Sequence, residues 1–257
     1  MFREEFKGVI NAGRGKVELL NKNRGGYLVY AVLAGLYVSF GIILAFTIGG
    51  ILTSYNSPST KIIMGASFGV ALSLVVFAGS ELFTGNNFVM TLGFLKGKIR
   101  LKDCGKVFFM SYLGNFLGSI LAALGFLGAG LIKGSISDFI IKTAELKITL
   151  TPGELFIRGL FCNILVCLAV WCTFRLKSET AKLIMIFWCL FAFVTSGFEH
   201  SIANMSLLTM GFLITKGTLI SLSGILYNLF FVTLGNLLGG ALLAVLYNYI
   251  AKDKEGI

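Results

Sequence analysis

Residues 79–93 read Gly-Ser-Glu-Leu-Phe-Thr-Gly-Asn-Asn-Phe-Val-Met-Thr-Leu-Gly, and residues 197–211 read Gly-Phe-Glu-His-Ser-Ile-Ala-Asn-Met-Ser-Leu-Leu-Thr-Met-Gly. Set over each other they match at Gly79 and Gly197, Glu81 and Glu199, Asn86 and Asn204, Thr91 and Thr209, and Gly93 and Gly211. Each stretch sits halfway along an apolar run, 62–95 and 183–214, that exceeds 30 residues. A helix needs only about 20 residues to cross the hydrocarbon core of a bilayer. Two overlong runs with polar centres therefore predict interrupted helices. The freed backbone groups are tolerated only where they are buried in protein or line a water-filled path.

Outward from these stretches, further apolar runs cover 27–48, 107–132, 154–174 and 221–250, which makes six spans. Leu-Gly-Asn-x-Leu-Gly recurs at 113–118 and 234–239, and Gly-Leu-aromatic at 35–37 and 159–161. The chain reads as a duplicated three-helix unit, repeat one over 27–132 and repeat two over 154–250. An odd number of spans per unit turns the second copy upside down, and the natural site lies where the broken helices meet. The fold class expected is an all-α membrane protein of six transmembrane helices in two inverted repeats.

Composition agrees, with 56% hydrophobic residues, 13% charged and a mean hydropathy of +0.87. So little polar surface cannot cover a soluble globule of this length. The basic residues flank apolar runs rather than alternating with aromatics, which excludes a nucleic-acid partner. Sixteen Lys and Arg fall on one side of the six spans and six on the other. The positive-inside rule then puts both termini in the cytoplasm of a multi-pass inner-membrane protein. Residues 1–26 read as an amphipathic helix on the cytoplasmic membrane surface and 251–257 as a cytoplasmic tail. The five cysteines have no metal-ligand spacing and read as packing residues, so neither a metal nor another cofactor is expected.

His200 is the sole histidine and occupies the centre of span five. A core histidine satisfied by a neighbour is the plain alternative, but ionisable groups inside a membrane usually mark a substrate or proton path. Thr84 falls in the matching stretch of span two, where Gly85 favours a non-helical turn that would turn the hydroxyl to the path. Glu81 and Glu199 would repel an anion, so they read as structural groups that shape each break by accepting backbone N–H bonds or pairing with a basic residue. The amides of Asn86, Asn163 and Asn204 can bridge helices in the same way. An intramembrane enzyme using His200 and Ser201 is excluded because adjacent helical residues point about 100° apart. Neither proline, Pro58 or Pro152, lies in a break, as the Asn-Pro-Ala turns of an aquaporin would require.

Glu81-Leu82-Phe83-Thr84-Gly85, the stretch Cys162 to Trp171 and the stretch Gly197 to Met205 closely resemble the formate/nitrite transporter family, and within it the clostridial hydrosulfide channels. The resemblance implies an aquaporin-like protomer in a homo-pentamer, with a substrate path through each protomer. It makes His200 and Thr84 a central polar pair, with Asn163 and Lys147 also along the substrate path, Lys147 near the outer mouth. It places Leu82, Phe83 and Val166 in a cytoplasmic constriction, and Phe68, Leu72 and Phe193 in an outer one. The implied cargo is a small monovalent anion conjugate to a weak acid, hydrosulfide first. Formate or nitrite, with or without a coupled proton, and neutral hydrogen sulfide are the alternatives. Gly85-Asn86-Asn87 departs from the small hydroxylated residues of formate-type members and speaks against formate.

Overall fold

The computed structural model describes residues 2–251, so the tail expected at 251–257 lies, apart from Ala251, outside the described residues. Helix α1 (Arg3–Lys22) is followed by α2 (Arg24–Ser54), α3 (Thr60–Ser67) and α4 (Gly69–Leu74), the last passing into a π-helical turn, Val75–Gly79. Then come α5 (Phe83–Leu95), α6 (Leu101–Gly128) and α7 (Ser135–Thr149). The second half adds α8 (Pro152–Arg175), α9 (Glu179–Thr195), α10 (Ser201–Thr215) and α11 (Leu222–Ile250).

Five continuous helical stretches, among the described residues, are long and apolar enough to cross a membrane: α2, Thr60–Gly79, α6, α8 and α11. The remaining apolar run, the fifth in chain order, is divided between α9 and α10, of 17 and 15 residues. The two halves pair their outer helices alike, α2 on α6 and α8 on α11. Small residues permit this. A side chain at Gly118 would collide with the Val32 carbonyl, and one at Gly239 with the Leu160 carbonyl. Large apolar side chains such as Phe40, Phe109, Leu121 and Phe230 face outward, while the amides of Asn115, Asn163 and Asn236 are buried. That inside-out distribution suits a lipid surround.

One element departs from the expectation, and another lies in the stretch between the two repeats. The apolar face of α1, with Phe6, Val9 and Ile10, is buried against the protein, chiefly α5, rather than lying on a membrane surface. The link between the repeats is not a loop: it carries α7, which buries Ile140 and Ala144 and packs on α2 and α10. Helices α1 and α7 are thus counterparts, each leading into the first long helix of its half and each capping the opposite face of the molecule.

Candidate functional site

Both overlong runs break, and at matched glycines. Gly79 has φ 81° and Gly197 φ 76°, a left-handed conformation that L side chains resist. Extended backbone follows each, at Ser80 and Leu82 in one half and at His200 in the other, before α5 and α10 begin. The break in span two therefore ends earlier than expected: Thr84 and Gly85 lie inside the first turn of α5, not in a non-helical turn. In register, the position matching His200 is Leu82.

Each break is held by one asparagine from a long helix. Asn115 on α6 accepts the Phe83 N–H at 2.9 Å and donates to the Ala31 and Glu81 carbonyls at 2.8 and 2.9 Å. Asn236 on α11 accepts the Ser201 N–H at 2.9 Å and donates to the Gly159 and Glu199 carbonyls at 2.7 and 3.0 Å. The Glu81 and Glu199 amides donate to Tyr30 and Arg158 carbonyls, both at 3.2 Å. The Glu81, Phe83, Glu199 and Ser201 N–H groups and the Glu81 and Glu199 carbonyls, released by the breaks, are in this way satisfied within protein.

The two carboxylates are 4% and 3% exposed and are neutralised in matching fashion. Lys16 of α1 lies 2.5 Å from Glu81, which also accepts from Tyr27 and Asn86 at 2.9 and 3.1 Å. Lys147 of α7 lies 2.6 Å from Glu199, which also accepts from Asn204 at 2.6 Å. Of the two alternatives for these glutamates, the structure has the basic partner; the N–H groups they accept belong to the side chains of Asn86 and Asn204, not to the backbone. Lys16 carries no mark in the sequence; only the packing of α1 over the first break brings it to Glu81.

Thr84 Oγ1 and His200 Nε2 are 2.9 Å apart and join the halves at the centre. The His200 Nδ1 accepts the Ala203 N–H at 3.1 Å, capping α10. An amide N–H can only donate, so Nδ1 holds a lone pair and the neutral ring carries its proton on Nε2. His200 is then the donor and Thr84 Oγ1 the acceptor, which leaves the Thr84 hydroxyl proton without a partner among the described residues. The Phe193 ring stacks on the imidazole, centroids 5.9 Å apart and planes at 17°.

Three cavities run through this centre. One, of about 620 Å³ on the α7 face, is lined by Lys61, Lys142, Lys147, Phe68, Phe193 and His200 among others. One of about 250 Å³ on the α1 face is lined by residues that include Lys16, Glu81, Leu72, Leu82 and Asn86. Between them a chamber of about 10 Å³, room for about one water, is bounded by Val38, Phe68, Leu72, Leu82, Val166, Phe193 and His200. Phe68 and Phe193 are shared by the chamber and the α7-side cavity and meet edge to face at 5.7 Å. Leu72 and Leu82 are shared by the chamber and the α1-side cavity. Leu72 thus belongs with Leu82, not with Phe68 and Phe193, because it sits one turn further along the same helix toward the break.

Other sequence candidates fall elsewhere. Phe83 lines none of these cavities; its ring packs edge-on against Tyr112 and Phe108, at 4.9 and 6.1 Å. Asn163 is a buried bridge, donating to the Thr84 and Asn236 carbonyls at 3.2 and 2.6 Å. Thr84 meets the chamber only through His200. Among the described residues no cluster of His, Cys, Asp or Glu could hold a metal.

Against known proteins, the family model described as Formate/nitrite transporter matches residues 3–250. Nitrite transporter NirC of Salmonella typhimurium is 40% identical over 97% of this chain and 93% of its own length. A solved structure described as an FNT family ion channel superposes with TM-score 0.91 at 38% identity, covering 98% of this chain and all of that one. A pentameric formate channel with formate bound gives TM-score 0.75 at 28% identity over 88% and 96%.

Proposed function

We propose, from the premise that the chain belongs to the formate/nitrite transporter family, that it is a channel passing small monovalent conjugate bases of weak acids through each protomer. The observation that carries this reading is the Thr84–His200 pair at 2.9 Å, set beside a chamber that lies between two cavities. An anion crossing the Phe68–Phe193 and Leu72–Leu82 constrictions loses its water there, and a bare charge in an apolar ring is costly. At the centre it meets the His200 ring, whose Nε2–H it takes over from Thr84 or shares with it, and it lies in the field of the positive ends of α5 and α10.

The tautomer bears on mechanism. If the Nε2 proton were handed to the anion while Nδ1 still accepted from Ala203, an imidazolate would remain in an apolar site. A full transfer therefore requires a second proton on Nδ1 and loss of the cap on α10. This favours hydrogen-bond donation over proton transfer, so that the anion crosses with its charge.

Nitrite and formate are the cargoes that the relatives carry in their names, and nitrite stands first because that relative matches nearly the full length at 40% identity. The hydrosulfide preference has no such support. A homo-pentamer follows the pentameric relative, and the excess of Lys and Arg on one side supports an orientation with the α1 face and both termini in the cytoplasm of a bacterial inner membrane. Proteoliposomes offered nitrite, formate, hydrosulfide and chloride side by side test the cargo. Nitrite or formate flux well above chloride supports the reading; equal flux of all four overturns it.

A further inference from the structure

The two halves match in their buried pairs, Lys16 with Glu81 and Lys147 with Glu199, yet the cavities outside those pairs differ in charge. On the α1 face the charged residues lining the cavity are Lys16 and Glu81, which neutralise each other. On the α7 face Lys147 and Glu199 do the same, but Lys61 and Lys142 line that cavity as well. Neither has a carboxylate within 4.0 Å among the described residues. Asp138 and Glu145 share α7 with Lys142 but are absent from the cavity wall.

The asymmetry is written into the repeat. Lys61, at the start of α3, corresponds in the repeat register to Glu179 at the start of α9, which is spent on Lys182 at 2.7 Å. Lys142 lies five residues before the paired Lys147; five before the paired Lys16 is the neutral Asn11. The basic residues that crowd the α1 face, Lys96 and Lys98 among them, do not line its cavity.

We infer that Lys61 and Lys142 form an anion-collecting site in the α7-side cavity, distinct from the compensated Lys147, and that it makes the channel rectify. The inference rests on the channel reading above. Two uncompensated charges on the wall of a cleft with low-dielectric sides raise the local anion concentration. Under a strong driving force the supply of anions to the mouth limits current, so anions are driven into the α7 face more readily than out of it. The effect weakens with salt, since such charges act over about 30 Å at 0.01 M and about 3 Å at 1 M.

The test is the current–voltage relation of the full-length protein in a planar bilayer with symmetrical sodium nitrite. At about 10 mM the wild type is expected to rectify about two- to fivefold, and at about 1 M to be nearly ohmic. The double variant Lys61→Gln/Lys142→Gln should be nearly ohmic at both, with unchanged conductance at high salt. Lys61→Arg/Lys142→Arg should keep the rectification, which separates charge from folding. An ohmic wild type at low salt, or rectification that survives the Gln pair, overturns the inference alone; a protein that passes no anion current overturns the channel reading with it.

Discussion

Thr84 Oγ1 and His200 Nε2 stand 2.9 Å apart across 116 residues of chain, one from each half of the duplicated fold, and theirs is the hydrogen bond that joins the two broken spans at the centre. Because Ala203 holds Nδ1, the bond runs from His200 to Thr84. Removing the acceptor without changing shape isolates its role. Thr84→Val should lower nitrite flux several-fold, about the loss of one buried hydrogen bond of ~1 kcal/mol. Thr84→Ser should retain flux. Equal flux through both variants would show that the hydroxyl is not used.

Leu82 and Phe83 are neighbours with opposite duties. Leu82 separates the central chamber from the α1-side cavity, so Leu82→Val should raise flux while oligomer and thermal stability hold. Phe83 packs on Tyr112, so Phe83→Ala should cost about 3–5 kcal/mol of stability without that gain. Size-exclusion profiles and unfolding in detergent, read beside flux, check both. A flux increase from Phe83→Ala at unchanged stability would move it back into the path.

Gly79 and Gly197 hold the two breaks at positive φ but in unlike surroundings. At Gly197 an added Cβ meets nothing within 4 Å, whereas at Gly79 it would lie 2.6 Å from the Tyr30 hydroxyl. Gly197→Ala should therefore cost only the conformational strain, about 1–2 kcal/mol, and Gly79→Ala more. Thermal unfolding of the two proteins in one detergent reads the order; the reverse order would contradict it.

Lys16 and Glu81 should respond unequally to neutralisation. Lys16→Met strands a carboxylate that is 4% exposed and should cost about 3–5 kcal/mol, the penalty of an uncompensated buried charge. Glu81→Gln leaves a lysine that still reaches water and should cost less. The double variant Lys16→Met/Glu81→Gln should recover much of the loss. A double-mutant cycle without coupling would mean that the pair is incidental.

Much of this is legible in the sequence. The duplication and the interruption of both overlong runs follow from residues 79–93 and 197–211, because a bilayer penalises unpaired backbone so heavily that few shapes remain. The position of Thr84, two residues past the end of the break, is not legible in the same way. Gly85 looks like a turn former, but the left-handed position went to Gly79, whose match with Gly197 is the stronger signal. Helix α7 was hidden because its apolar positions, Ile136, Ile140 and Ala144, repeat at helical spacing over too short a span to resemble a membrane helix. Lys16 was invisible for a different reason: pairing across 65 residues depends on how α1 docks, which no local pattern records. The surroundings of Leu72 and Phe83 are not legible in the sequence, because an apolar residue on a buried helix looks the same facing a path or a neighbour.

The central claim is that the anion crosses with its charge, hydrogen-bonded at His200 but not protonated there. Simultaneous measurement of nitrite flux and electrical current through the purified protein under a nitrite gradient tests it most directly. The account predicts about one elementary charge moved per nitrite, with reversal at the anion equilibrium potential. Nitrite entering at full rate with no current, one proton accompanying each anion, would contradict it.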